Sequence, residues 1–164
     1  TLDNLTTTQV ADLSSTQVGS LSTTQLDNLS TANLQAIDAA DFSTAQLSAL
    51  AGATLDDLTT TQAAGLNTTQ SQSLTVTQLN NLSTTNLNAL DIAELSTAQI
   101  GGVESTTIDD LTTTQIAGLS TSQVSSLTAT QIGVFTTTEL QDLTTAQLAA
   151  LTDRKSTRLN SSHT

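Results

Sequence analysis

The chain has 164 residues, no Cys, Met, Pro, Trp or Tyr, and two aromatic residues, Phe42 and Phe135. A compact enzyme of this length normally fills its core with aromatic side chains, so the composition disfavours an enzyme. Residues 1–152 hold 14 of the 15 acidic side chains and no Lys, Arg or His. Since phosphate binding needs cationic groups, this composition excludes a nucleic-acid partner. No run of about 18 apolar residues occurs, so no membrane span is expected.

An eight-residue repeat, here called the octad, begins at Leu5 and fills most of residues 1–152. Position 1 is always a large apolar residue, position 2 is Ser or Thr in 14 of 17 octads, and position 5 is Gln or Glu in 13. Position 6 is Leu, Ile or Val in 15. Such a period indicates one structural unit stacked many times. The octads begin at Leu5, Leu13, Leu21, Leu29, Phe42, Leu50, Leu58, Leu66, Leu74, Leu82, Leu95, Val103, Leu111, Leu119, Leu127, Phe135 and Leu143.

Two five-residue units interrupt the octads, IDAAD at residues 37–41 and LDIAE at residues 90–94. They lie 53 residues apart, and a related nonapeptide begins at Thr1 (TLDNLTTTQ), Thr54 (TLDDLTTTQ) and Thr107 (TIDDLTTTQ). These spacings indicate 53-residue super-repeats that start near residues 1, 54 and 107. We expect each short unit to form a bend or bulge in the repeat.

Neither a continuous helix nor a flat strand suits the octad. In a continuous helix, eight residues overshoot two turns by roughly 80°, so the apolar positions would spiral around the helix. In a flat strand, positions 1 and 6 point to opposite faces. A β-solenoid with a corner in each octad remains an alternative, and its Thr ladders would form a flat surface suited to ice.

A short helix that restarts in every octad gives each fixed position a role. A hydroxyl at position 2 and a Gln or Glu at position 5 form the two halves of a capping box, and twelve octads contain both. Positions 1 and 6, such as Leu111 and Ile116, form the hydrophobic staple. Helices of about six or seven residues are unstable alone, so they must pack on their neighbours. We therefore predict an all-α solenoid over residues 1–152, with one short capped helix per octad.

The sequence contains few groups that carry chemistry. Without His or Cys in residues 1–152, no nucleophile–base set can form, so we predict no catalytic residue and no cofactor. Four acidic residues in the short units are weak calcium candidates because Ca²⁺ prefers oxygen ligands. Their spacing does not supply six ligands, so solvated caps at an irregular turn are the simpler interpretation. These residues are Asp38, Asp41, Asp91 and Glu94.

The phrases LSTAQ, LTTTQIAGL and LTTAQLAAL resemble the Ser/Thr/Gln-rich repeat tracts of very large bacterial surface proteins, often labelled adhesin-like or haem-utilisation-like. The resemblance covers residues 1–152 and implies an exported spacer or stalk at the cell surface, in contact with neighbouring repeats of its parent chain. Residues 1–152 contain no His, Met, Cys or Tyr that could be an axial haem ligand, so the sequence does not support the haem label. Alternatives are a binding module whose solenoid surface takes a protein, a glycan or, in a β form, ice, and a disordered linker. The register of the apolar positions argues against disorder.

Residues 153–164 (DRKSTRLNSSHT) differ from the repeat in composition and hold every Lys, Arg and His of the chain. This segment resembles the translation of a sequencing-adapter read-through. The resemblance implies that the basic cluster and His163 are not a site and that the chain is a fragment. A disordered basic tail is the alternative.

Overall fold

The computed structural model describes residues 2–152, except for the side chain of Asp3. In this range the secondary structure is entirely helical and contains no strand. The predicted all-α repeat is therefore confirmed. The β-solenoid alternative is wrong, and the ice-binding surface that depended on it is lost with it. The tail at residues 153–164 lies outside the described residues.

Short α-helices follow one another along the chain. Each of the α-helices between residues 7 and 142 has four to six residues, so the longest reach the expected six. In these six-residue helices, position 1 of the next octad ends the helix. Leu50, for example, has φ −58° and ψ 142°. The helices are α1 (Thr7–Ala11), α2 (Ser15–Gly19), α3 (Thr23–Asp27), α4 (Thr31–Leu34), α5 (Thr44–Ala49), α6 (Gly52–Asp56), α7 (Thr60–Ala64), α8 (Thr68–Ser73), α9 (Val76–Asn81), α10 (Thr84–Ala89), α11 (Thr97–Gly102), α12 (Ser105–Asp109), α13 (Thr113–Gly118), α14 (Thr121–Ser126), α15 (Ala129–Ile132) and α16 (Thr137–Asp142), with a further helical segment over residues 145–152.

The capping box forms in all twelve octads whose sequence predicts it. In the octad of α13, the backbone N–H of Gln115 donates to Thr112 Oγ1 at 3.2 Å. The backbone N–H of Thr112 donates to Gln115 Oε1 at 3.0 Å. Asn67 forms a further box with Gln70. Local side-chain bonds therefore start almost every helix, as the octad pattern predicts.

Three consecutive units make one coil of the solenoid. Helix α5 packs on α8, α6 on α9 and α7 on α10, so each helix lies on the unit three places further along the chain. A coil of three octads spans 24 residues, the separation of Thr44 and Thr68. The molecule therefore has three sides, and each side is a stack of short helices.

The apolar core runs along the axis between the three sides. Positions 1 and 6 of the octads point into it, and Leu26, Leu47 and Ile116 are fully buried. The staple predicted for Leu111 and Ile116 buries both side chains. Repetition of this pair stacks a narrow, continuous core that no single unit could form alone.

Each five-residue unit contains one 3₁₀ turn, at Ala39–Asp41 in the first unit and at Ile92–Glu94 in the second. The turn at Ala39–Asp41 packs on α2, and the turn at Ile92–Glu94 packs on both α8 and α13. A further 3₁₀ turn spans Leu2–Asn4. Instead of the expected bend or bulge, each short unit takes the place of one helix in a side. A super-repeat contains seven units, which is not a multiple of three. The second short unit consequently lies on the next side of the solenoid.

Candidate functional site

The four calcium candidates do not converge. Asp38 accepts a hydrogen bond from the backbone N–H of Ala40 at 2.9 Å, and Asp91 accepts one from Ala93 at 3.1 Å. Both carboxylates therefore cap the 3₁₀ turns of their own units. Among residues 2–152, no group of three or more His, Cys, Asp or Glu side chains is placed to hold a metal ion.

The side chains that join one coil to the next are the glutamines at position 5. In α9, Gln78 Oε1 accepts from the backbone N–H of Thr75 at 2.8 Å, which completes the capping box. Its Nε2 donates to two backbone oxygens of the preceding coil, at 2.8 Å from Leu47 and 2.9 Å from Leu50. One amide thus starts its own helix and closes the end of another.

The same arrangement recurs along the molecule and is here called the glutamine ladder. Its acceptors are the opening residue of the unit one coil earlier and a residue two or three positions before it. The ladder gives a donor to the carbonyl group of each opening residue, which stands between two short helices. Several of the second acceptors, such as Val18 and Leu34, also accept from a backbone N–H of their own turn. Helices often end with a left-handed residue, but no residue of the described chain has a positive φ. The members are Gln46, Gln62, Gln70, Gln78, Gln99, Gln115, Gln123, Gln131 and Gln147.

The amide nitrogen and the amide oxygen of the buried glutamines are both hydrogen-bonded. Gln131 is 1% exposed, and its Nε2 lies 2.8 Å from the backbone oxygens of both Ile100 and Val103. Its Oε1 accepts from the backbone N–H of Thr128 at 2.6 Å. Burying an amide costs free energy unless its polar atoms are paired. Complete pairing lets the solenoid place a row of polar side chains beside its apolar core.

Sequence reasoning identified only the capping half of each glutamine's role. A capping box needs an acceptor, which Gln and Glu supply equally, yet position 5 is Gln twelve times and Glu once, at Glu139. Glu139 forms its box, accepting from the backbone N–H of Thr136 at 2.7 Å, but its carboxylate has no N–H to donate. The preference for Gln in an acidic chain was the signal that a donor is needed.

A second contact between coils occurs where an octad lacks part of its box. Position 2 is Ala51 in one such octad, and its backbone N–H donates to Asp27 Oδ1 at 3.0 Å. In another, the backbone N–H of Glu104 donates to Asn80 Oδ1 at 2.9 Å. The two pairs are related by the 53-residue super-repeat. A side chain at position 7 of the preceding coil thus replaces the missing local acceptor.

The third octad of this kind has Asn86 at position 5, and an asparagine side chain is one methylene shorter than a glutamine. Asp56 Oδ1 accepts from the backbone N–H of Ser83 at 2.8 Å and from its hydroxyl at 2.7 Å. Asn86 Nδ2 still donates to the backbone oxygens of Asp56 and Leu58, at 2.6 and 3.0 Å. Asp56 thus supplies the capping acceptor that Gln supplies elsewhere, and Asn86 keeps the bonds to the preceding coil.

The short unit at residues 90–94 leaves a groove of about 260 Å³ beneath α13. Leu90, Ile92 and Ala93 form its mainly apolar wall, and Gln115 and Gly118 lie opposite. A Cβ atom added at Gly118 would meet nothing within 4 Å, which is consistent with open space. Asp91 and Thr114 also line the groove, but its surface is mainly apolar.

Within residues 2–152, no helix has both the length and the apolar character needed to cross a membrane. The chain matches no protein-family model, no curated protein and no solved structure.

Proposed function

We propose that the chain is a non-catalytic spacer, a stalk segment of a large, exported, adhesin-like bacterial surface protein. The observation that carries the proposal is the glutamine ladder. It joins coil to coil with the same bonds from Gln46 to Gln147. Because the buried glutamines form these bonds only when one coil is stacked on another, the fold is suited to a spacer of fixed length.

The packing pattern supports an extended form. The best-packed helix pairs, such as α11 with α14 and α12 with α15, lie one coil apart. A solenoid in which each repeat packs on its neighbours grows in one dimension as repeats are added. Since packed helices lie about 8–10 Å apart, each coil adds about that length.

The charge distribution supports a role on an exposed surface. The formal net charge is −12 at pH 7, and residues 1–152 carry no cation. A strongly negative surface keeps neighbouring molecules apart and soluble. Stalks that stand side by side on a cell would benefit from this repulsion.

A coil-insertion experiment tests the spacer role. Duplicating residues 58–81 adds one coil of three octads with three ladder glutamines, Gln62, Gln70 and Gln78. We expect small-angle X-ray scattering to show a maximum dimension longer by about 8–10 Å with an unchanged cross-section. A scrambled insert of the same composition is the control and should add no ordered length. An unchanged maximum dimension after coil duplication would contradict the proposal.

The location has its own test. Antibodies raised against the recombinant chain should label intact cells that make the parent protein. Labelling that requires permeabilised cells would rule out a surface stalk, even if the length experiment succeeded.

The groove beneath α13 favours a second candidate, a module that binds a protein or glycan through the solenoid surface. Gly118→Leu should fill this groove. Gly19→Leu is the matched control, because a Cβ at either glycine meets nothing within 4 Å. Binding of a glycan on an array that is lost in the first variant and kept in the second would support this candidate. Absence of binding by the unmodified chain would discard it for glycans.

A further inference from the structure

The groove beneath α13 lies on the flank of the solenoid, between two coils of the described chain. Gln115 Nε2 donates to the backbone oxygen of Leu90 at 3.1 Å, so the beginning of α13 lies over the beginning of the short unit at residues 90–94. Thr114 and Gly118 line the groove and are exposed. A ligand can therefore reach the groove from the side, whatever lies beyond either end of the chain.

The corresponding residues of the first super-repeat lie closer together. Gln62 Nε2 donates to the backbone oxygen of Ile37 at 2.8 Å, and a Cβ atom added at Gly65 would lie 3.8 Å from Ala39 Cβ. The second super-repeat has the larger Ile92 in place of Ala39. The larger side chain accompanies a wider spacing between the coils, and the open space beside α13 has no equivalent at Gly65.

Carboxylates stand beside the groove without a cation to pair with. Asp91 lines it, and Asp109 and Asp110 come directly before Leu111, which opens the octad of α13. Since α13 lies over the short unit, these three carboxylates occupy the same corner of the solenoid on two successive coils. Residues 1–152 contain no Lys, Arg or His. No side chain of this part of the chain can therefore neutralise the corner.

The lining of the groove determines which ligand suits it. Lys and Arg side chains combine an apolar stem, which packs on apolar surface, with a cationic head that stays in water. The wall formed by Leu90, Ile92 and Ala93 suits the stem, and Asp91 suits the head. None of the lining residues is aromatic, so a sugar ring has no aromatic face on which to stack. Charge and lining together favour a basic side chain over a glycan.

We propose that this groove binds a lysine or arginine side chain presented by a partner protein. The stem lies against Ile92 and Ala93, and the head lies beside Asp91. This assignment of a partner rests on the second candidate function, in which the groove is a binding site. The first super-repeat has the same carboxylates without the open space beside Gly65, so it serves as an internal reference.

Selective nitrogen-15 labelling of glycine gives a readout at the groove, because the whole chain contains only seven glycines. The probe is the peptide Ac-Ala-Ala-Lys-Ala-Ala-NH₂, and its Nζ-acetylated form keeps the stem but loses the charge. We expect the lysine peptide to shift the amide signal of Gly118, assigned with Gly118→Ala, and to leave Gly19 and Gly65 unchanged. The binding should weaken at high salt, because the Debye length falls from about 8 Å at 0.15 M to about 3 Å at 1 M.

The other probes separate failure of this proposal from failure of the candidate function. Equal shifts of Gly118 with the two peptides would overturn the role of the charge and leave the groove as a protein-binding site. A shift with maltotriose and none with the lysine peptide would assign the groove to a glycan and overturn the proposal. No shift with any probe would overturn the proposal and the second candidate function together, while the spacer role is tested separately by coil insertion.

Competition from the chain's own cations is controlled with a variant that has Gln in place of Arg154, Lys155 and Arg158. The lysine peptide should shift Gly118 in this variant as well. Absence of the shift in both proteins overturns the proposal.

Asp91→Asn tests the carboxylate. Asparagine keeps a side-chain oxygen that can accept from the backbone N–H of Ala93, the bond that Asp91 forms at 3.1 Å, so the cap of the 3₁₀ turn is retained. Loss of the charge should raise the Kd of the lysine peptide about two- to fivefold, as expected for an exposed ion pair. Asp38→Asn makes the same change in the first short unit and should leave the Kd unchanged. An unchanged Kd in Asp91→Asn overturns the proposal.

Discussion

Octads that cap their own helices differ from octads that depend on the coil before them. In the octads of α14 and α15, Gln123 and Gln131 complete the capping box within the unit. In the octads of α6 and α12 no side chain of the unit caps the helix, and Asp27 or Asn80 accepts from the first backbone N–H instead. The fold therefore tolerates loss of a local cap wherever the stacked coil supplies the missing acceptor.

The largest expected effect comes from removing a ladder glutamine in a self-capping octad. Gln131→Ala leaves the carbonyls of Ile100 and Val103 and the N–H of Thr128 without their partner. We expect the free energy of unfolding to fall by about 3 kcal/mol, because each buried unpaired group costs about 1–3 kcal/mol. Urea unfolding followed by far-UV circular dichroism measures the change.

Gln131→Glu keeps the capping acceptor but replaces the ladder donor with a buried carboxylate oxygen beside the carbonyl oxygens of Ile100 and Val103. Burial of this charge adds to the loss of the ladder bonds, so we expect a loss at least as large as that of Gln131→Ala. No loss would show that the ladder adds nothing to the capping box.

A close approach between coils should give the next largest effect. A Cβ atom at Gly101 in α11 would lie 2.7 Å from the backbone oxygen of Ser126 in α14. Gly101→Ala should therefore destabilise the chain by about 1–3 kcal/mol, the usual cost of overpacking. At Gly118 a Cβ meets nothing within 4 Å, so Gly118→Ala is the control. Equal melting temperatures for the two variants would show that α11 and α14 do not pack this closely.

A smaller loss should follow removal of the acceptor that serves a neighbouring coil. Asp56→Ala deprives the backbone N–H and hydroxyl of Ser83 of their partner. We expect a loss of about 1–1.5 kcal/mol, because the site is half-buried and water partly replaces the carboxylate. Asp57→Ala, at the exposed neighbouring residue, should change little in the same urea titration. Equal effects of the two variants would contradict the role given to Asp56.

The smallest expected effect is a gain in stability when a missing local cap is restored. Ala51 occupies the capping position of α6 but offers no side-chain acceptor. Ala51→Ser places a hydroxyl there and should raise the free energy of unfolding by about 0.5–1 kcal/mol. Ser120→Ala, in the self-capping octad of α14, should lower it by about the same amount. A destabilised Ala51→Ser variant would mean that the backbone at residue 51 does not present its side chain to the helix.

The local half of the architecture could be predicted from sequence, and the half that joins coils could not. Thr112 with Gln115 and Leu111 with Ile116 lie within five residues of each other, so capping and stapling rules identify them directly. The bond from Gln78 to Leu50 spans 28 residues, and no rule about neighbouring residues fixes that distance. The number of units in a coil follows from packing around the axis, which the period of eight does not specify.

The 53-residue super-repeat nevertheless contains a trace of the contacts between coils. The pair Asp27 and Ala51 recurs 53 residues later as Asn80 and Glu104, so a lost cap and its replacement acceptor were copied together. The calcium hypothesis at Asp38 and Asp91 drew on a different exception, the five-residue units that interrupt the octads. Each of these two carboxylates instead has a backbone N–H of its own 3₁₀ turn as its partner.

Seven units in each super-repeat, on a scaffold with three sides, have a consequence for any longer array built by duplication. Every new copy starts one side further round, so a feature carried once per copy traces a spiral along the rod. Its fourth occurrence would face the same direction as its first. Such an array would show the same mixture of features to neighbours on every flank, whichever way it is turned.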